Sequence, residues 1–339
     1  MSPQDFIKNK RILVTGGTGS IGSAIVRELL EYKPSVIKIF SRDPLKQSAL
    51  ENRFGNSPIT SIIGDIRDEK RLATACEDAD IVFHAAAFKY VPQGEFNPFE
   101  VIQTNLLGTH NILSVAQASP TVSHFVLIST DKAVQPASVM GASKFLAERL
   151  VLAAHANRGK GRKIFAVVRL GNVLGSSGSV LPIFREQIVK GEIVITHKEM
   201  TRFFTTIRDA ASFIVLAASQ ARGGDIFVPR MSAVLIKDLA EECIVRYGSG
   251  KSVSIRIGGM RAGEKLHELL VTPEEAISAL ETDNFFVIPP PADYERAQKE
   301  QWYPGARPFA AQGYTTRLAP RLSREEINRL LDRIESESR

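Results

Sequence analysis

Thr130, Asp131 and Lys132 set a hydroxyl, a carboxyl and an amine in consecutive positions after an apolar run, HFVLIS at 124–129. The run has the composition of a buried strand, and open α/β sheets take their ligands at strand carboxyl ends, so these three side chains occupy a site address. A carboxyl beside an amine can divide proton work, one giving and one taking, once burial moves either pKa toward neutrality. Beyond a loop at Pro136 the pattern turns helical, and Met140 and Lys144 stand one turn apart, able to face the same cleft. A thioether exchanges no proton, so a base must come from Asp131, Lys132, or Thr130 with water. Taken alone, an Asp-Lys pair at a strand end is a solvated ion pair more often than a site. The motifs around it shift that balance.

Those residues need a scaffold, and the chain begins with one. RILVT at 11–15 is a β-run that breaks into Gly16, Gly17, Thr18, Gly19, Ser20, Ile21 and Gly22, and 23–30 is amphipathic and helical. Strand, glycine-rich turn and helix in that order make a dinucleotide fingerprint, because the glycines permit a tight turn and the helix amides hold a pyrophosphate. The second strand, 36–40, ends in Ser41, Arg42 and Asp43, with Lys46 one helical turn on. A small polar residue followed by Arg suits the 2′-phosphate of NADP; Asp43 suits the ribose of NAD or the cap of the next helix. A third strand, 59–63, runs into Asp65 and Ile66, where a carboxylate can take an adenine amino group. A fourth, 81–84, is followed by Ala85, Ala86 and Ala87, small enough for a flat cofactor to lie against backbone. His84 reads as a packed strand-end histidine. The segment 88–98 is expected to be an irregular loop over the site, with Lys89 a phosphate or ribose contact. A helix over 99–118 carries Asn105, which can brace the strand end or meet the cofactor side of the site.

With a sixth strand at 164–170, strands and helices alternate in the doubly wound α/β pattern of a parallel Rossmann sheet. The expected division is a dinucleotide-binding domain at 1–172, with 201–222 packing back on it, and a smaller mixed α/β substrate domain at 173–200 and 223–339. Arg202 and Arg261, each between small or apolar neighbours, suit a second pyrophosphate. Ser323 and Glu326 form the capping box of a last helix, 324–334. At 339 residues, 44% hydrophobic and 24% charged, the composition is that of a globular protein able to bury a full core. No apolar stretch reaches membrane-span length and the N-terminus lacks a signal-peptide core, so a cytoplasmic location is expected. Cys76 and Cys243 are expected to be reduced core residues, without metal-ligand spacing. The formal charge of +6 suits an anionic partner, but the basic residues are scattered without the stripe of a nucleic-acid surface.

Together these motifs resemble the extended short-chain dehydrogenase/reductases, whose fingerprint has the GxxGxxG spacing of Gly16, Gly19 and Gly22. More closely the chain is similar to the UDP-N-acetylglucosamine 4,6-dehydratase family of polysaccharide and flagellin-glycan biosynthesis. The resemblance runs through TGGTGSIG (15–22), SRDPLKQ (41–47), GDIRD (64–68), HAAAFKYVP (84–92), NPFE (97–100), STDKAVQP (129–136), MGASK (140–144), RLGNVLGSSGSVLP (169–182), MTRFF (200–204), FVPR (227–230) and RAGEKLHE (261–268). Two positions depart from it: Tyr90 stands where inverting members usually have histidine, and Met140 replaces the catalytic tyrosine, as in a methionine branch of the family.

What the resemblance implies is a tightly bound, recycled NADP, or NAD, and a UDP-N-acetylglucosamine or related UDP-sugar substrate. C4 is oxidised, water is eliminated across C5 and C6, and the hydride returns to C6, with or without inversion at C5. Lys132 is then the base at C5, Asp131 the acid at C6, Thr130 a partner of O4, and Lys144 the ribose lysine beside Met140. Lys89, Asn172, Ser179, Val180, Thr201, Arg202, Arg261 and Glu264 fall on the substrate side, and the enzyme is expected to be a homo-oligomer, dimer to hexamer. The rival readings are a UDP-sugar 4-epimerase or 4-reductase on the same scaffold, and a non-catalytic NADP-binding regulatory protein in which Met140 has silenced the site.

Overall fold

A computed structural model describes residues 1–159, 161, 163–250 and 252–338. The apolar runs form β1 (Arg11–Thr15), β2 (Val36–Ser41), β3 (Ile59–Ile63), β4 (Ile81–His84), β5 (His124–Thr130) and β6 (Ile164–Leu170), all paired in parallel in the order 3-2-1-4-5-6. A short helix α1 (Pro3–Ile7) precedes them, and between them run α2 (Ser20–Leu30), α3 (Pro44–Phe54), α4 (Glu69–Cys76), α5 (Val91–Phe96), α6 (Pro98–Val101), α7 (Gly108–Ala118) and α8 (Val139–Ala156). The strand order reverses between β1 and β4, and in such sheets the crevice outside the carboxyl ends at that point receives ligands.

Alternation along the strands gives the sheet two apolar faces. Ile12, Val14, Ile37, Ile39 and Val126 meet Ile25, Val26 and Leu29 of α2, while Leu13, Val82, Phe125 and Phe165 meet Leu72 of α4, Ile112 and Leu113 of α7 and Val151 of α8. Cys76 and Cys243 are buried free thiols. Two local expectations change. The segment 88–98, expected to be irregular, holds the helix α5, with a proline in its first turn. The helix expected over 99–118 is interrupted by a π-helical stretch, Ile102–Leu107, that contains Asn105.

The rest of the chain adds β7 (Asn172–Val173), α9 (Val180–Val189), β8 (Glu192–Ile195), β9 (Thr201–Thr205), α10 (Ile207–Gln220), β10 (Ile226–Pro229), β11 (Ala233–Leu235), α11 (Ile236–Tyr247), β12 (Ser254–Ile257), β13 (Leu269–Val271), α12 (Pro273–Ala276), β14 (Leu280–Glu281), β15 (Phe285–Ile288), α13 (Tyr294–Lys299), β16 (Arg307–Pro308), β17 (Tyr314–Thr315) and α14 (Arg324–Ser338). The boundary drawn at 223 does not coincide with a sheet boundary. Strand β10 pairs in parallel with β6, and β15, β14 and β16 follow antiparallel, so the large sheet has ten strands among the described residues. The fully buried run of β15 explains why it lies inside the sheet. Helix α10 packs on α2, whereas β9 joins a separate three-stranded sheet with β7 and β11. A third core gathers Leu181, Phe184 and Ile188 of α9, Leu239 and Cys243 of α11, and Ile327 and Leu331 of α14. The capping box of α14 forms, with the Glu326 amide donating to Ser323 Oγ at 3.3 Å and the Ser323 amide to Glu326 Oε2 at 2.8 Å.

Candidate active site

At the sheet's switch point the β1–α2 turn is closed by backbone against backbone. Gly16 has φ +69°, and a Cβ on Gly22 would lie 2.2 Å from the Gly16 carbonyl oxygen, so neither position admits a side chain. Gly19 precedes α2 without a side-chain cap, leaving the first helix amides to an external acceptor. A dinucleotide pyrophosphate fits that requirement. The turn opens on a cleft of about 1080 Å³ that runs from Gly16, Thr18, Gly19, Ser20, Ile21 and Gly22 past Arg42 and Lys46 at one end and past β5 to Arg202 at the other. Ala85 and Ala87 line its wall.

Several residues read from the sequence as cofactor contacts do not line it. Ser41 is buried and its hydroxyl accepts from Gln47 Nε2 at 3.1 Å. Asp65 is held by Arg67 Nη2 at 2.7 Å, Ile66 is core, and Ala86 packs behind Gly16. Asn105 is a brace: its Oδ1 accepts from the Phe88 amide at 2.7 Å while its Nδ2 donates to the Phe88 carbonyl and to Ser143 Oγ. Asp43 caps α3, accepting from the amides of Leu45 and Lys46 at 3.1 Å, and the Lys46 bond holds its carboxyl below the usual range. His84 sits between the hydroxyls of Thr15 and Thr109, and burial lowers its pKa to about 3.

Strand β5 delivers its polar terminus to the middle of the cleft. Thr130, Lys132, Met140 and Lys144 line it. Asp131 does not; it is fully buried in the 3-10 turn behind Thr130. Its Oδ1 accepts from Thr130 Oγ1 at 2.9 Å and from Lys132 Nζ at 3.0 Å, so it reaches the cleft through these two neighbours. Lys132 Nζ also donates to Asn172 Oδ1 at 2.9 Å. The expectation that burial would bring Lys132 toward neutrality is corrected here: burial alone lowers its pKa, but the Asp131 and Glu268 carboxylates outweigh burial and raise it. Lys132 therefore rests as the ammonium, 3.0 Å from Asp131. Lys144 behaves as expected of a buried amine, brought down to about 8 by desolvation while its Nζ donates to the Ile128 carbonyl at 2.6 Å.

On the far side Asn172, Ser179, Val180, Arg202, Arg261 and Glu264 line the cleft with Lys89. Thr201 is corrected: it is fully buried and its hydroxyl engages His267 Nδ1 and Thr316 Oγ1, both at 2.7 Å. The Arg202 guanidinium is fixed by the Thr201 carbonyl at 2.7 Å and by Glu268 Oε1 at 3.5 Å. The sequence reading missed a strap across the cleft, in which the Ser177 amide donates to Ser20 Oγ at 3.0 Å and Lys89 Nζ donates to the Ser177 carbonyl. The run of glycines and serines there signalled only flexibility. It also missed Val194, Ile195 and Thr196, which line the substrate end.

A family model described as polysaccharide biosynthesis protein matches residues 12–290. The UDP-N-acetylglucosamine 4,6-dehydratase (inverting) of Campylobacter jejuni is 40% identical over 288 residues, 84% of this chain and 84% of that protein. The UDP-glucose 4-epimerase of Rickettsia prowazekii is 38% identical over 330 residues, 95% of each. Among solved structures, that of Pen from Bacillus thuringiensis is 36% identical, with a TM-score of 0.90 over 97% of this chain and 99% of its own.

Proposed function

The chain belongs to the polysaccharide biosynthesis protein family of extended short-chain dehydrogenases/reductases, and from that premise we propose that it is a UDP-N-acetylglucosamine 4,6-dehydratase. The observation that carries the reading is the arrangement at the end of β5: a hydroxyl and an amine open to the cleft, joined through one buried carboxylate.

The glycine turn, Arg42, Lys46 and Lys144 would hold a nicotinamide dinucleotide. With Asp43 committed to its cap and two cations at the adenosine end, NADP is favoured over NAD. When bound, this group supplies hydride acceptance from C4 and hydride return to C6. The protons are the protein's task. The Thr130 hydroxyl takes the O4 proton as it passes its own to Asp131, replacing the phenol that Met140 cannot supply. Lys132, as free amine, removes the C5 proton made acidic by the C4 ketone. The C6–O bond breaks as Asp131 protonates the departing hydroxyl through Thr130, and C5 regains a proton from Lys132. O4 and O6 sit on the two substituents flanking C5, so one threonine can serve both. The sum is loss of one water. Asn172, Arg202 and Arg261 would hold the UDP pyrophosphate and Glu264 would lie beside its ribose.

The identity to a UDP-glucose 4-epimerase over 95% of the chain favours 4-epimerisation as a second reading. That reaction leaves substrate mass unchanged and uses no acid at C6. The purified protein is expected to convert UDP-N-acetylglucosamine to a product lighter by one water without added cofactor, with deuterium at C5 when run in deuterated water. Mass spectrometry and proton NMR check this; an isomer of unchanged mass establishes the epimerase, and unaltered substrate rejects both readings.

A further inference from the structure

The proton count of the reaction leaves one proton without a seat. At rest the pair holds one proton, as Lys132 ammonium and Asp131 carboxylate. Oxidation at C4 adds the O4 proton. Elimination then requires Lys132 as free amine and Asp131 as acid, a state that again holds one. Whichever group moves first, one proton has to reside outside the pair from oxidation until C5 is reprotonated. Met140 offers no seat for it.

Glu268, 3% exposed and one residue before β13, is near enough to Lys132 for its carboxylate to raise the Lys132 pKa. Its Oε1 is 3.5 Å from Arg202 Nε and its Oε2 is 3.9 Å from Lys265 Nζ, whose own short bond goes to the Val134 carbonyl at 2.6 Å. Two buried carboxylate oxygens of this cluster accept no hydrogen bond, Asp131 Oδ2 and Glu268 Oε2. An acceptor held in a dry interior without a donor is a favourable place for a proton. In the reaction as derived above Glu268 does no more than fix Arg202.

We propose that Glu268 is a positioning residue that takes the surplus proton from Lys132 after C4 oxidation and returns it when C5 has been reprotonated. It acts through Lys132 and touches no reacting atom. The Lys132 ammonium, on its flexible four-carbon stem, is the carrier between the two carboxylates. The cycle closes: Glu268 gains the surplus proton, Asp131 loses one to the departing hydroxyl, Lys132 takes and returns the C5 proton, and Glu268 restores the ammonium. Burial and the Asp131 charge both raise the Glu268 pKa, against Lys132, Arg202 and Lys265, which makes it a better proton acceptor than an ordinary carboxylate while it is ionised.

This rests on the dehydratase reading, so wild-type protein is assayed first; if it yields no product lighter by one water, that reading has failed and Glu268 is not at issue. With wild type active, Glu268→Gln is expected to lower kcat about 100-fold, with a much smaller rise in KM from the loosened Arg202. Single-turnover traces should show C4 oxidation, seen as nicotinamide absorbance, preserved while C5 deuterium exchange slows. Glu268→Asp should recover much of the rate. In wild type, kcat should fall as pH drops and Glu268 protonates, and this limb should be absent in Glu268→Gln. If Glu268→Gln dehydrates at the wild-type rate with the same acid limb, the surplus proton goes to solvent and the proposal is overturned. It is equally overturned if oxidation and exchange slow together with a lower Tm, which marks a structural role. Should Glu268→Gln not fold, a wild-type kcat independent of pH down to the ordinary carboxylate range overturns it alone.

Discussion

Lys132→Ala is expected to lower the rate of dehydration about 10²- to 10⁴-fold while the dinucleotide stays bound. Among the described residues the amine is the one basic group that both lines the cleft and touches Asp131, at 3.0 Å. Of the other amines that line it, Lys144 is turned to the Ile128 carbonyl at 2.6 Å, Lys89 to the Ser177 carbonyl and Lys46 to Asp43. Alanine therefore removes the C5 base without removing the contacts of the glycine turn, Arg42, Lys46 or Lys144. The loss should appear in kcat, with oxidation at C4 retained and C5 exchange with deuterated water stopped. Removing one partner of a buried pair also leaves Asp131 without its cation. The double variant Asp131→Asn/Lys132→Met removes both charges and should be as inactive but closer to wild type in Tm. Retained elimination in Lys132→Ala would move the base elsewhere and undo the role given to the end of β5.

How far the sequence carries this site depends on whether a residue acts through backbone or through a long side chain. The glycine turn was legible because Gly16 and Gly22 admit no Cβ, a constraint that spacing expresses directly. The six parallel strands were legible because their runs are apolar; all but the partly exposed edge strand β3 are largely buried. Ser41, Asp65 and Thr201 were misplaced for one shared reason: Ser41 and Asp65 stand at or just past the carboxyl ends of β2 and β3 and Thr201 opens β9, but each side chain is taken by a protein partner, Gln47, Arg67 and Thr316 respectively. Sequence gives the address of such a group and not the direction it faces. Asp131 shows the same limit in finer form, since adjacency to Lys132 was visible but not that the carboxyl would point inward and the amine outward. The joining of β10 and β15 to the large sheet was hidden as well, because a short apolar run carries no label for the sheet it completes.

Arg169→Met is expected to cost about 3–5 kcal/mol of stability, the largest loss from any single substitution away from the cleft. The guanidinium is 1% exposed and reaches two carboxylates at once. It meets Glu148 of α8 in a bidentate pair at 3.2 and 2.7 Å, Glu275 at 2.9 Å through each terminal nitrogen, and the Leu270 carbonyl at 2.8 Å. Glu148 also accepts from Ser129 Oγ at 2.5 Å, one residue before Thr130. One side chain thus ties β6, α8, the end of β5 and the start of α12, the elements that hold Lys132, Met140 and Lys144 in register. Methionine fills much of the volume but removes the cation shared by Glu148 and Glu275, leaving Glu275 only the half-exposed Arg149 at 3.9 Å, and an orphaned buried charge is what makes such a loss large. The sign of its pH dependence follows from Glu275: burial raises its pKa, but Arg169 outweighs burial and holds it below the usual carboxylate range. A depressed folded-state pKa adds stability above the unfolded value, and that contribution is lost as pH falls through the folded value. Wild type and Arg169→Met should therefore differ most near neutrality and converge below the ordinary carboxylate range. Adding Glu148→Gln and Glu275→Gln should recover part of the deficit at neutral pH. Urea unfolding followed from about pH 7 to about pH 2, through the lowered Glu275 pKa, measures all three; a constant gap, or a variant as stable as wild type at neutral pH, would show that packing and not this charge network holds α8 against the sheet.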